Sequence, residues 1–192
     1  DVADVASWRN VPGVKAVWVN SPCNPTGEVY SAERMAGIVA AAREIGAVVL
    51  SDECYALMQW RGATNSADDD PLQSTPCALR SDVCAGSAEG VLVLYSLSKQ
   101  SNMAGYRTAF IAGDESLIAS MSAYRKQIGQ IIPGPVQAAM AAGLRDLESV
   151  KVQHARYRER LGVLVSALRA DGYCTDMPDG ALYVWVRAKS SD

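Results

Sequence analysis

The chain has 192 residues, 49% of them apolar and 20% charged, with a formal net charge of −3, the balance of a globular protein with one sizeable core. Disordered and collagen-like architectures are excluded, and without a basic stripe neither nucleic acid nor a membrane surface is an expected partner. Five cysteines without a CxxC pair, and a single histidine, leave no zinc-type spacing, so the thiols are read as reduced in a cytoplasmic protein built for small-molecule chemistry.

Residues 15–20 (KAVWVN) form a short apolar strand that runs into SPCNPTGEVY, where Pro22, Pro25 and Gly27 impose a turn. A helix follows: Ser31 is a good N-cap, Glu33 sits in the first turn, and Met35, Ile38, Val39, Ala42 and Ile45 repeat at helical spacing until Gly46. Residues 47–50 read as a second buried strand ending in Ser51, Asp52 and Glu53. Strand, helix and strand at these lengths make a βαβ unit with parallel strands. Residues 61–90 are polar and turn-rich, with a solvated aspartate run at 68–70 and a short helix expected near 77–83.

Residues 91–95 (VLVLY) are a third buried strand that stops abruptly in Ser96, Ser98, Lys99 and Ser101. Residues 106–112 follow too closely for a crossover and are expected to run antiparallel to it. Three helices come next: one capped by Asp114, one opened by Pro135, and a long one ending at Asp171 and Gly172 with Val150, Tyr157, Leu161, Leu164, Val165 and Leu168 on one stripe. Residues 182–187 (LYVWVR) alternate as a half-buried strand that opens a second domain. The expected organisation is α/β, a mostly parallel sheet flanked by helices with one antiparallel strand over residues 1–150. Residues 151–192 then supply an interdomain helix and the start of a smaller α+β C-terminal domain. The chain starts at Asp1 and stops soon after a strand-like stretch, so it is read as an excerpt of a longer protein.

Lys99 is the most informative residue. Lysine is rarely buried unpaired, and an amine delivered by a core strand into a hydroxyl-rich turn is a ready carbonyl nucleophile. Three apolar strands end in polar clusters: Asn24 in NPTG, Asp52 in SDEC and Lys99 in SLSK. Ligands of open α/β sheets bind outside the carboxyl ends of the strands, so these clusters converge on one site. Ser96, Ser98 and Arg107 add hydroxyls and a guanidinium, the combination that holds a phosphate. Each residue alone has a plainer reading: NPTG as an ordinary turn, Asp52 as a helix cap, Lys99 as a snorkelling surface lysine. His154 and Cys54 are read as packing residues, Arg125 and Lys126 as a solvated face or an interface, and Tyr30 and Trp60 as candidates to line a pocket.

Taken together, NPTG at 24–27, SDECY at 51–55 and SLSKQSNMAGYR at 96–107 resemble the class I/II aminotransferases of fold type I, which use pyridoxal 5'-phosphate. The resemblance implies that Lys99 carries the cofactor as a covalent aldimine and that Asp52 pairs with its pyridine nitrogen. It further implies that Tyr55 and Asn24 bond its phenolic oxygen, that Ser96, Ser98 and Arg107 cradle its phosphate, and that Asn24–Pro25 is cis. Amino acid and 2-oxo acid substrates and a homodimer are implied as well. DECYALMQW, PGPVQAAMAAGL and GALYVW are most similar to actinobacterial N-succinyl-diaminopimelate aminotransferases, which serve lysine and cell-wall precursor synthesis. Two alternatives keep the cofactor: a carbon–sulfur β-lyase, and the sensor domain of a transcription regulator.

Overall fold

In the computed structural model, residues 1–60 and 75–188 are described. A four-residue helix α1 (Ala6–Arg9) leads into β1 (Ala16–Asn20), and the turn that follows returns the chain through α2 (Ala32–Glu44) to β2 (Val48–Asp52). Ser31 caps α2 by accepting a hydrogen bond from the Arg34 amide, as its position in the sequence predicts. Met35, Ile38, Val39, Ala41 and Ala42 are the buried face of that helix. Met35, Ile38, Val39 and Ala42 of this face pack with Val17, Val19, Val49, Val91 and Val93 of the strands into one core, each fully buried Val, Ile or Met side chain contributing about 1.5–3 kcal/mol. Arg43, in the last turn, donates to the carbonyls of Cys84, Ser87 and Glu89 and ties the helix to the turn entering β3 (Val91–Ser96).

The strands lie in the order β1-β2-β3-β4, with β4 spanning Ala109–Gly113. β1, β2 and β3 are parallel and β4 is antiparallel to β3, with Leu92 opposite Gly113 and Ser96 opposite Ala109. This is the expected mixed sheet, with helices packed against it.

The details differ in three places. The helix expected at 77–83 is a single turn, α3 (Ser81–Cys84). The backbone is still extended at Arg80 (φ −62°, ψ 140°), so the residues before Ser81 stay outside the helix, with the Ala78 amide held by the Glu53 carboxylate. β4 begins later than expected because residues Ala104–Tyr106 close into a 3-10 turn and Arg107 takes a left-handed conformation at φ 52°. Residues 182–187 form no strand. A strand needs a neighbour to complete its ladder, and among the described residues the isolated bridge here pairs Gln59 with Gly180. The aspartate run at 68–70 lies outside the described residues.

α4 (Leu97–Gln100) follows β3 directly, and after β4 come α5 (Glu115–Gln127), α6 (Gly134–Arg145) and the long α7 (Leu147–Ala170). Asp114 caps α5 through the Ser116 and Leu117 amides. It also accepts from the Gly90 amide, and these hydrogen bonds hold its carboxyl at about 2. In α7 the stripe is only partly right. Val150, Leu161 and Val165 are buried, Leu164 is 45% exposed, and Gln153 and His154 take inward places. His154 packs against Trp60 with ring centroids 4.6 Å apart and planes tilted by 41°. That packing joins a second core of Tyr55, Met58, Trp60, Leu161 and Ala181, through which α7 and the chain after it seat against the loop leaving β2. No helix among the described residues is long and apolar enough to cross a membrane.

Candidate functional site

The polar ends of β1, β2 and β3 meet along one edge of the sheet, because parallel strands in register all deliver their carboxyl ends to the same side. Asn20 is opposite Asp52, and Asp52 is opposite Leu94. Asn20 Nδ2 donates to the Asp52 carbonyl at 3.1 Å, and its Oδ1 accepts from the Asn24 amide at 2.8 Å. This side chain therefore anchors the NPTG turn to the end of β2. Both Ser21–Pro22 and Asn24–Pro25 are cis. Gly27, at φ 75°, sits where a Cβ would come within 2.7 Å of the Pro178 Cβ and 3.0 Å of the Gly180 carbonyl oxygen, so this turn tolerates only glycine.

Asp52 is half-buried and accepts from the Cys54 amide at 3.2 Å. Burial pushes the Cys54 thiol up to about 12, helped by the hydrogen bond and negative charge of Asp52 and opposed by the positive charge of Lys99. The carboxylate and the ammonium thus act on the same thiol from neighbouring strand ends. Cys54 stays a protonated, unreactive thiol at neutral pH, in keeping with its reading as a packing residue.

Lys99 is held by the turn of α4. Ser96 caps it, accepting from the Ser98 amide at 3.1 Å, and the Ser96 Oγ lies 2.8 Å from the Ser98 Oγ and 3.2 Å from the Thr108 carbonyl. The half-buried Lys99 Nζ stands 5.8 Å from the centroid of the Tyr55 ring. Tyr55 is 5% exposed, and its hydroxyl is 2.7 Å from that of Tyr183. Burial raises its pKa above all, and either hydroxyl of the pair can be the donor.

Asp52, Tyr55, Ser96, Ser98 and Lys99 are therefore gathered into one neighbourhood. Asn24 and Arg107 are exposed at its margin. Asn24 is joined to Asp52 through Asn20. Arg107 donates to the Ala104 carbonyl at 3.0 Å and lines a cleft of about 380 Å³ with Tyr106, Arg125 and Ile131. Trp60 and Tyr30 are core residues, 4% and 6% exposed; Tyr30 also borders an open cleft with Glu28 and Arg34.

Two residues of this region were missed by the sequence reading. Asn20 is a polar residue closing an apolar strand, a signal that was on the page. Tyr183 belongs to GALYVW and carried no local signal of its contact with Tyr55, 128 residues away. Glu53 is a third neighbour of note. It is 3% exposed and accepts from the Ser51 hydroxyl and the Ala78 amide, and burial raises its pKa. It faces the segment that follows the 61–74 stretch and braces the end of β2.

An open, mostly parallel α/β sheet with a carboxylate, an amine, a phenol and a hydroxyl-rich turn at its carboxyl edge has the makings of a candidate small-molecule site, since ligands of such sheets bind at strand ends. The chain belongs to the aminotransferase class I and II family, whose model matches residues 4–192. It is 44% identical over 173 residues to the 4-dedimethylamino-4-oxo-anhydrotetracycline transaminase OxyQ of Streptomyces rimosus, covering 90% of this chain and 45% of that protein. It is 40% identical over 170 residues to a probable aminotransferase of Mycobacterium tuberculosis, covering 88% of this chain and 38% of the relative. Among solved structures, an aminotransferase from Neisseria meningitidis superposes with a TM-score of 0.77 at 28% identity, covering 90% of this chain and 41% of that one. The chain spans less than half the length of these relatives.

Membership implies pyridoxal 5'-phosphate as the cofactor, and the donor set fits it. Asp52 offers a carboxylate for a basic ring nitrogen, and Lys99 an amine for an aldehyde. The Tyr55 hydroxyl suits a phenolic oxygen, and the hydroxyls and amides at the start of α4 suit a phosphate.

Proposed function

We propose that the full-length protein is a pyridoxal-phosphate-dependent aminotransferase that moves an amino group between an amino acid and a 2-oxo acid, with Lys99, Asp52 and Tyr55 as its catalytic residues. The observation that carries this reading is the placing of Asp52 and Lys99 at the ends of adjacent parallel strands, Asp52 on the Cys54 amide and the Lys99 Nζ 5.8 Å from the Tyr55 ring, inside a family match that runs through nearly the whole chain. When bound, the cofactor supplies a protonated ring that takes up the electron pair left on the substrate's α-carbon. Asp52 holds the proton on that ring's nitrogen by placing a negative charge beside it. Lys99 would hold the cofactor's aldehyde at rest and, once released by the substrate's incoming amine, its free Nζ would take the α-proton and return it as general base and acid. Tyr55 and Asn24 orient the phenolic oxygen, and Ser96, Ser98 and Arg107 hold the phosphate.

Residues 1–150 belong in this reading to the large cofactor-binding domain, and residues 151–192 to the interdomain helix and the start of the small one. The full protein acts as a cytoplasmic homodimer on amino acid and 2-oxo acid substrates. For the substrate, the wording of DECYALMQW, PGPVQAAMAAGL and GALYVW supports N-succinyl-diaminopimelate with 2-oxoglutarate. The 44% identity to OxyQ favours a second reading, in which the amino acceptor is a ring ketone like the one in that relative's name.

The test uses the full-length protein and its Lys99→Ala and Asp52→Ala variants. Lys99→Ala is expected to abolish the covalent cofactor absorbance and all transamination. Asp52→Ala is expected to keep some cofactor and lose at least about a hundredfold in rate, the usual scale for one electrostatic or acid–base group. An unchanged rate in either variant removes the role assigned to that residue. Assays with succinylated diaminopimelate, dicarboxylic and aromatic donors side by side decide the substrate. Release of pyruvate and ammonia would point to carbon–sulfur β-elimination, and cofactor binding without turnover to a sensor.

A further inference from the structure

The Tyr55 hydroxyl has a neighbour that the site's motifs do not assign. Tyr183 lies 2.7 Å from it, and the two rings meet edge to face with centroids 5.9 Å apart. No helix or strand carries Tyr183 there. It is delivered by a strap, residues 177–184, pinned on both sides. The Gly180 amide donates to the Gly27 carbonyl of the NPTG turn at 2.8 Å, and the Ala181 amide donates to Met58 at 2.8 Å. The Trp60 amide donates to Asp179 at 2.8 Å, and its indole Nε1–H donates to Ala181 at 2.7 Å. Gly180 is so tightly enclosed that a Cβ would fall 2.8 Å from both Pro22 Cβ and Val29 Cγ2. A contact held this firmly between two phenols is built, and its direction matters because each hydroxyl has a single proton to donate.

We infer that Tyr183 is a positioning residue that donates its hydroxyl proton to the Tyr55 oxygen, so that Tyr55 keeps its own proton for the acceptor in the site. The inference rests on the proposed role of Tyr55 toward the cofactor's phenolic oxygen. A hydroxyl that accepts a hydrogen bond becomes a stronger donor. A stronger donor on a phenolic oxygen favours the anion and lowers the pH at which the bound chromophore loses its proton.

The readout is the pH midpoint of the visible absorbance of the full-length protein loaded with pyridoxal phosphate. It is measured for the wild type, Tyr183→Phe, Tyr55→Phe and the double variant. Tyr183→Phe is expected to raise the midpoint by about half a pH unit, the scale of one neutral hydrogen bond. Tyr55→Phe is expected to raise it further, and the double variant to match Tyr55→Phe alone. Gly180→Ala, which pushes the strap away with both tyrosines intact, is expected to reproduce the Tyr183→Phe shift. A Tyr183→Phe midpoint that stays put or falls, while Tyr55→Phe raises it, overturns the inference and leaves the reading of Tyr55 standing. A double variant shifted beyond Tyr55→Phe overturns it too, because Tyr183 would then act by another route. A midpoint unmoved by Tyr55→Phe takes away the role of Tyr55 and this inference with it.

Discussion

His154 illustrates how one side chain writes a pH dependence into this fold. It is 8% exposed, packs against Trp60, and its Nε2 lies 3.4 Å from the Gln59 carbonyl. Burial lowers its pKa below 6.5 first of all, the Gln59 carbonyl resists that shift, and the positive charge of Arg158 adds to it. The unfolded chain therefore takes up a proton before the folded one does. The stabilisation is fully present above about 6.5 and is lost as the pH falls through the lower folded value. The melting temperature of the wild type is expected to drop over that acidic window, and His154→Gln to drop less; parallel curves would remove the residue from this role. The reading of His154 as structural needed only its place beside an apolar helical stripe. Its packing against Trp60 needed the fold, because the two residues are 94 positions apart in the chain.

At the scale of elements, the local signals succeeded where one segment decides its own structure. Ser31, Gly46 and the spacing of Met35, Ile38, Val39 and Ala42 were enough for α2, and Asp114 for the start of α5. They failed where the fold decides the backbone: the chain is still extended at Arg80, where a helix was expected, and residues 182–187 pair with no strand among the described residues. Of the candidate site residues, Asn24, Asp52 and Lys99 could be grouped from strand ends and Tyr55 only from the family resemblance, whereas the exposed, marginal positions of Asn24 and Arg107 depend on turns whose course alternation does not encode. Gly113 tests how strictly the antiparallel pair is built. At φ 141° a Cβ there would lie 2.0 Å from the Val91 carbonyl oxygen, inside the β3/β4 ladder. Gly113→Ala is expected to cost more than about 3 kcal/mol. Gly37→Ala, in mid-α2 with nothing within 4 Å of the new methyl, is expected to gain about 0.5–1 kcal/mol. Urea midpoints of the two variants compare them directly, and similar midpoints would refute the argument.

At the scale of the molecule, the sheet of the described residues leaves two edges unpaired, β1 and β4, and both carry exposed aromatics: Trp18 is 53% and Phe110 39% exposed. Beside β4, a groove of about 930 Å³ runs under α5 and α6 past Ile111, Met121 and Met140. Ile131 and Trp185 are also 66% and 65% exposed. Unpaired edges and apolar surface on this scale favour association. The 192-residue chain by itself is expected to sediment as oligomers at micromolar concentration, and Trp18→Lys with Phe110→Lys to shift it toward monomer. A wild-type chain that stays monomeric would contradict this.

The pinning of Gly180 to Gly27 also sets an order of events during synthesis. The NPTG turn and the strand ends emerge from the ribosome early, but the residues that close over them are made some 150 positions later. Until the segment around Tyr183 has been translated, the turn lacks the residues that close over it, so firm capture of a small molecule there is expected to wait at least for that segment.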